Sequence, residues 1–171
     1  SNNRFDRPIA DATGTTPTKA YGPNVPVFFI SSWESKFLQA EVLTRLGLDG
    51  ESLLVEAVQE SFDYWGVGDA TAYVTGLGYG AASLEDRVDI LAIQKWISMN
   101  ALQMCEGWIE TVRFDRPGHN IFTGGIFTTP ISTTLAPGIF PTSFIYPTQE
   151  VSYNSNTPTG RTVTSKRFWD I

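Results

Sequence analysis

Two carboxylates, Glu34 and Glu41, stand seven residues apart, a spacing that puts both on nearly the same face of a helix. Paired carboxylates work as general acid and base only when they face one cleft, about 5 to 10 Å apart, with one pKa raised. The surrounding residues do not supply that setting. Trp33, Phe37 and Leu38 flank the pair, and an uncompensated charge against such a surface is costly. The available cations are Lys95, Arg113 and Arg116. The reading is structural: an ion pair between Glu41 and Arg113, tying the first helix to the end of the third.

The other reactive side chains are sparse. His119 is the only histidine, which excludes a two-histidine metal centre and leaves a nucleophile–histidine pair resting on one loop residue. The only cysteine, Cys105, falls inside an apolar helical pattern and reads as a small buried hydrophobe. Gly76, Gly78 and Gly80 lack the Lys-Ser/Thr ending and preceding strand of a phosphate loop, so they read as a flexible turn. Tyr79, held between two of those glycines, is expected to be an accessible ring able to stack on a sugar, with Tyr21 a second and weaker candidate. No metal site and no cofactor are expected.

The elements that position these residues follow from spacing. An arm over residues 1–30 is rich in Pro and Thr and reads as extended. Trp33, Phe37, Ala40 and Leu43 then recur at helical intervals behind a capping pair of Ser31 and Glu34, predicting a helix over 31–46. Leu54, Val58, Phe62 and Trp65 predict its antiparallel partner over 50–65, with Gly47 and Gly66 as stops. A short helix is predicted over 69–77. A long one, capped by Ser83, is predicted over 83–114, where there is no proline and only one glycine, Gly107. Its apolar set, which includes Trp96 and Trp108, needs cover on more than one side. Residues 115–171 combine six prolines with many aromatics, which predicts an ordered, loop-rich cap rather than a disordered tail. The class is mainly α, one domain of helical hairpins with such a cap.

Composition narrows the function. The chain of 171 residues carries a net charge of -6, and its scattered Lys and Arg form no basic stripe, which argues against nucleic acid. No apolar run reaches the roughly 18 residues of a membrane span. The polar, Thr-rich opening suggests a piece of a longer protein.

The ordered features form a pattern. Ser31-Ser32-Trp33-Glu34-Ser35-Lys36-Phe37-Leu38-Gln39-Ala40-Glu41 is followed by Ser61-Phe62-Asp63-Tyr64-Trp65-Gly66 and Ile93-Gln94-Lys95-Trp96-Ile97. Glu106-Gly107-Trp108, Arg113, Phe140-Pro141, Tyr146-Pro147, Glu150, Asn154, Asn156 and Phe168-Trp169-Asp170 complete it. This resembles the C-terminal part of the SusD/RagB family, surface lipoproteins that capture glycans and other nutrients in Gram-negative gut and oral bacteria. Two departures stand out. Phe114-Asp115 separate Arg113 from Arg116 where family members often have adjacent arginines, and Thr142-Ser143 stand where an arginine commonly precedes the Tyr-Pro turn.

The resemblance implies tetratricopeptide-like hairpins, with Glu41, Trp65, Trp96, Trp108 and Tyr146 as framework; Trp33 joins them as core on its helical spacing. It implies a non-enzymatic protein that binds an oligosaccharide or polysaccharide and passes it to a TonB-dependent, SusC-like transporter. It also implies attachment to the outer membrane at the cell surface through a lipid anchor outside this chain. An isolated fragment is expected to expose helix faces or cover them with a second copy. The alternative is a helical-hairpin scaffold that binds protein through an apolar groove.

Overall fold

The computed structural model describes residues 27–100, 102–116, 118–127, 135–136 and 138–166. Tyr21, with most of the arm, and the closing Phe168-Trp169-Asp170 lie outside the described residues. Helices hold 58% of the described residues and none of those residues forms a β-strand, so the class is mainly α. The chain divides into two compact units, Ser1–Gly107 and Trp108–Ile171.

In the first unit, α1 (Ser32–Arg45) and α2 (Glu51–Trp65) form the expected hairpin. Ser31 caps α1, its hydroxyl accepting the Glu34 N–H at 3.1 Å, which satisfies one of the orphan donors of the first turn. Gly66, at φ +71°, ends α2 in a left-handed turn that side-chain-bearing residues resist. The hairpin is tied by Lys36, near the start of α1, whose ammonium donates to Glu56 and Glu60, one turn apart in the middle of α2, each at 2.7 Å. Trp33, Phe37 and Ala40 of α1 face Leu54, Ala57 and Val58 of α2, all buried, and each large side chain so buried contributes about 1.5–3 kcal/mol. Phe28, Trp33, Tyr64 and Trp65 extend this seam as ring pairs with centroids 5.2 to 5.7 Å apart.

A short helix, α3 (Thr71–Gly76), leads through Gly78, at φ +68°, into a single tight turn at Tyr79–Ala81. Ser83 then caps α4 (Leu84–Met99) reciprocally: its hydroxyl accepts from the Asp86 N–H at 3.2 Å and donates to the Asp86 carboxylate at 2.6 Å. Leu91 of α4 joins the hairpin core.

The single long helix expected over 83–114 is two helices, α4 and α5 (Met104–Phe114). Asn100 leaves the helical region at φ −57°, ψ 136°, and the Leu102 and Gln103 N–H groups both return to the Met99 carbonyl, at 3.1 and 2.9 Å. The break turns Gln103, 2% exposed, toward the hairpin, where its amide donates to the Glu34 carboxylate at 2.6 Å and to the Phe29 carbonyl at 3.3 Å. The first of those bonds gives the buried Glu34 carboxylate a donor.

The second unit begins within α5 and continues through loops, as composition predicted. It contains a wide helical turn at Phe122–Ile126, a short helix α6 (Thr148–Tyr153), and one isolated bridge between Arg116 and His119.

Candidate functional site

The sequence candidates fall into place unevenly. Tyr79 is not an accessible platform: it is 1% exposed and belongs to the hairpin core. Its hydroxyl lies 2.5 Å from the Thr44 hydroxyl, and the Arg87 guanidinium stands 5.3 Å from its ring centroid. Flexible glycines on either side suggested an exposed loop, but the tight turn points the ring inward, where burial of its large apolar area dominates.

Cys105 is also corrected, being exposed rather than buried, because the break after Met99 resets the face that α5 presents. Trp33 is core, whereas Trp65, Trp96 and Trp108 are half-buried, and Tyr146, at 36% exposure, lies at the surface rather than in the core. Glu41 is buried and accepts from the Arg45 guanidinium one turn on, at 2.8 Å. Arg113 bonds Glu110 one turn back on α5, and its guanidinium lies 4.3 Å from the ring centroid of Phe114. Glu34 is committed to Gln103. His119 exchanges two backbone hydrogen bonds with Arg116, at 2.9 and 3.2 Å. Among the described residues no group of three or more His, Cys, Asp or Glu could hold a metal ion, and no helix is long and apolar enough to cross a membrane.

Spacing did not reveal a cleft of about 360 Å³ contained in the second unit. Its aromatic walls are Trp108 from α5 and Phe127 and Phe140 from the loops. Each is held in place. The Trp108 indole N–H donates to the Pro141 carbonyl at 3.0 Å, and its ring meets Phe144 edge-on at 4.7 Å. Phe127 packs between Phe122 and Phe140, with centroids 5.6 and 5.5 Å away.

Two clamps fix the loops around the cleft. The Asp115 carboxylate, just past α5, accepts the Phe122 and Thr123 N–H groups at 2.9 and 2.8 Å, capping the turn that leads to Phe127. The Arg161 guanidinium donates to the Ser143 hydroxyl and, at 3.0 Å, to the Phe144 carbonyl. Beside it, the Thr142 and Ser143 N–H groups both donate to the Val163 carbonyl, at 2.8 and 3.0 Å. The corner at Thr142-Ser143 is therefore served by a guanidinium from later in the chain. Asn120, Thr164 and Lys166, all exposed, and the half-buried Thr142 also line the cleft. Aromatic walls beside amide, hydroxyl and ammonium groups suit a ligand with apolar ring faces and polar edges.

A sequence signal for the cleft existed only in composition: aromatics spaced through a Thr- and Pro-rich segment. No family model matches this chain, and neither a curated protein nor a solved structure does.

Proposed function

We propose that this chain is the glycan-binding C-terminal portion of a SusD/RagB-like surface lipoprotein, which captures an oligosaccharide and hands it to a TonB-dependent, SusC-like transporter. In this reading the hairpins are tetratricopeptide-like, the lipid anchor lies in an upstream part of a longer protein at the outer-membrane surface, and no bond is broken. The observation that carries it is the cleft of the second unit, where Trp108, Phe127 and Phe140 present rings and Asn120, Thr142 and Thr164 present hydrogen-bonding groups. The sequence pattern from Trp33 to Tyr146 supplies the family context.

Affinity electrophoresis of the chain through gels containing a panel of polysaccharides tests the proposal. Retardation by at least one, relieved by Phe140→Ala, is expected. Unretarded migration in all of them would remove glycan binding from this portion.

A protein-binding scaffold is the second reading, and one observation favours it. Leu38 and Val42 of α1 and Leu46 at its C-cap follow one another at four-residue steps and are 38%, 57% and 69% exposed, the first two beside Leu43 and Leu53 in a shallow apolar groove. If this stripe carries the function, Val42→Glu abolishes partner capture and leaves glycan retardation untouched.

A further inference from the structure

The acidity of the chain is not evenly shared. Counted by compact unit, Trp108–Ile171 holds five Lys or Arg and four Asp or Glu, a net of +1, whereas Ser1–Gly107 holds seven and fourteen, a net of -7. The two sum to the -6 of the whole chain. The cleft therefore belongs to the unit that does not share the chain's negative charge.

Its own described lining sharpens the contrast. The charged groups are Asp115, Arg116 and Lys166. Both oxygens of Asp115 already accept backbone N–H groups, those of Phe122 and Thr123. That carboxylate is turned toward the turn it caps, and the two N–H dipoles offset much of its field. Lys166, exposed in the lining, forms no ion pair among the described residues. Its ammonium is a mobile point charge able to meet an anion on a ligand seated against the aromatic walls. Arg116 adds a second cation from the far side of Asp115 in sequence, its backbone fixed by the bridge to His119.

We propose that the cleft selects anionic saccharides, sugars whose rings carry a carboxylate or sulfate group, with Lys166 as the specificity-determining residue. The inference rests on the glycan-binding reading and adds the charge class of the ligand. Ring faces stack on Trp108, Phe127 and Phe140, hydroxyls meet Asn120 and the lining threonines, and the anionic substituent meets Lys166. A neutral sugar of the same size keeps the stacking and loses the charge-assisted bond.

Titration calorimetry of the full chain with trigalacturonate, a sulfated carrageenan tetrasaccharide and maltotriose tests this. At least one anionic probe is expected to bind more tightly than maltotriose, and which one does separates carboxylate from sulfate. Lys166→Gln, at an exposed position where folding is not at stake, is expected to weaken the preferred anionic probe about fivefold, the scale of one exposed charge contact. The same variant should weaken maltotriose by a smaller factor, since a neutral sugar loses no charge-assisted bond. Equal affinity for neutral and anionic probes overturns the charge selectivity and leaves the glycan reading standing. An anionic preference that Lys166→Gln does not alter overturns the assignment to Lys166. Binding to none of the three, together with unretarded migration through every polysaccharide gel, overturns both.

Discussion

The Tyr79 hydroxyl donates to the Thr44 hydroxyl inside the helical hairpin, 2.5 Å away. The direction follows from counting protons: Thr44 spends its own on the Ala40 carbonyl, at 2.7 Å, so it can only accept from Tyr79. A chain of Tyr79, Thr44 and Ala40 thus locks the turn after α3 onto the C-terminal end of α1.

Tyr79→Phe removes the donor and leaves no buried donor unpaired, so a loss of about 1 kcal/mol is expected in urea unfolding. Tyr79→Ala empties a fully buried site and should cost about 3–5 kcal/mol, by analogy with other buried aromatics. Gly50 explains why the contact is so close. A Cβ there would lie 2.7 Å from the Ala40 carbonyl and 3.0 Å from the Tyr79 hydroxyl, so Gly50→Ala should destabilise by about 1–3 kcal/mol through overpacking. A neutral Gly50→Ala would show that the hairpin opens more easily than its packing implies.

Asp115 links stability to the cleft. Asp115→Ala strands the Phe122 and Thr123 N–H groups at a half-buried site and is expected to cost about 1–3 kcal/mol, while weakening ligand binding because the turn to Phe127 loosens. Asp115→Asn keeps one acceptor and should recover part of both losses. Thermal melts and calorimetric titrations of the two variants check the order.

The Lys36–Glu56–Glu60 cluster gives the hairpin a pH dependence. The Lys36 pKa is raised from its ordinary value of 10.5, first by the hydrogen bond to Glu56 and then by that to Glu60. The Glu60 pKa is lowered from 4.5, chiefly by its bond to Lys36 and next by one to Ser32. A lowered carboxyl pKa stabilises the fold above the unfolded value, and that contribution is lost as pH falls below about 4.5. The raised lysine contributes below 10.5 and is lost as pH climbs through its higher folded value. These groups are partly exposed, so the effect should stay under about 1 kcal/mol. Lys36→Met should narrow the stability difference between neutral and acid solution, read from urea midpoints. An unchanged difference would leave acid sensitivity to other carboxylates.

Much of the helical unit was legible in the sequence because its signals are local. Ser31, Ser83 and Gly66 mark helix ends through bonds and dihedrals that involve residues within a turn, and Trp33, Phe37 and Leu54 declare a buried face by period. The break after Met99 carried no such mark, since Asn100 is neither proline nor glycine and the gain comes from Gln103 meeting Glu34, 69 positions away. Tyr79 misled for a related reason. Flanking glycines report backbone freedom, while the inward turn of the ring depends on Thr44 and Gly50. The cleft was least legible: its walls depend on bonds between side chain and backbone at Asp115 and Arg161 that span 7 to 17 residues.

The most direct test of the account is a backbone and indole amide chemical-shift map of the chain during titration with the saccharide that binds best. The account predicts that the largest changes gather on the Trp108 indole N–H and the amides of Asn120, Phe127, Phe140, Thr164 and Lys166, with the α1 stripe at Leu38, Val42 and Leu46 silent. Changes centred on that stripe, with Trp108 unmoved at saturating sugar, would contradict it.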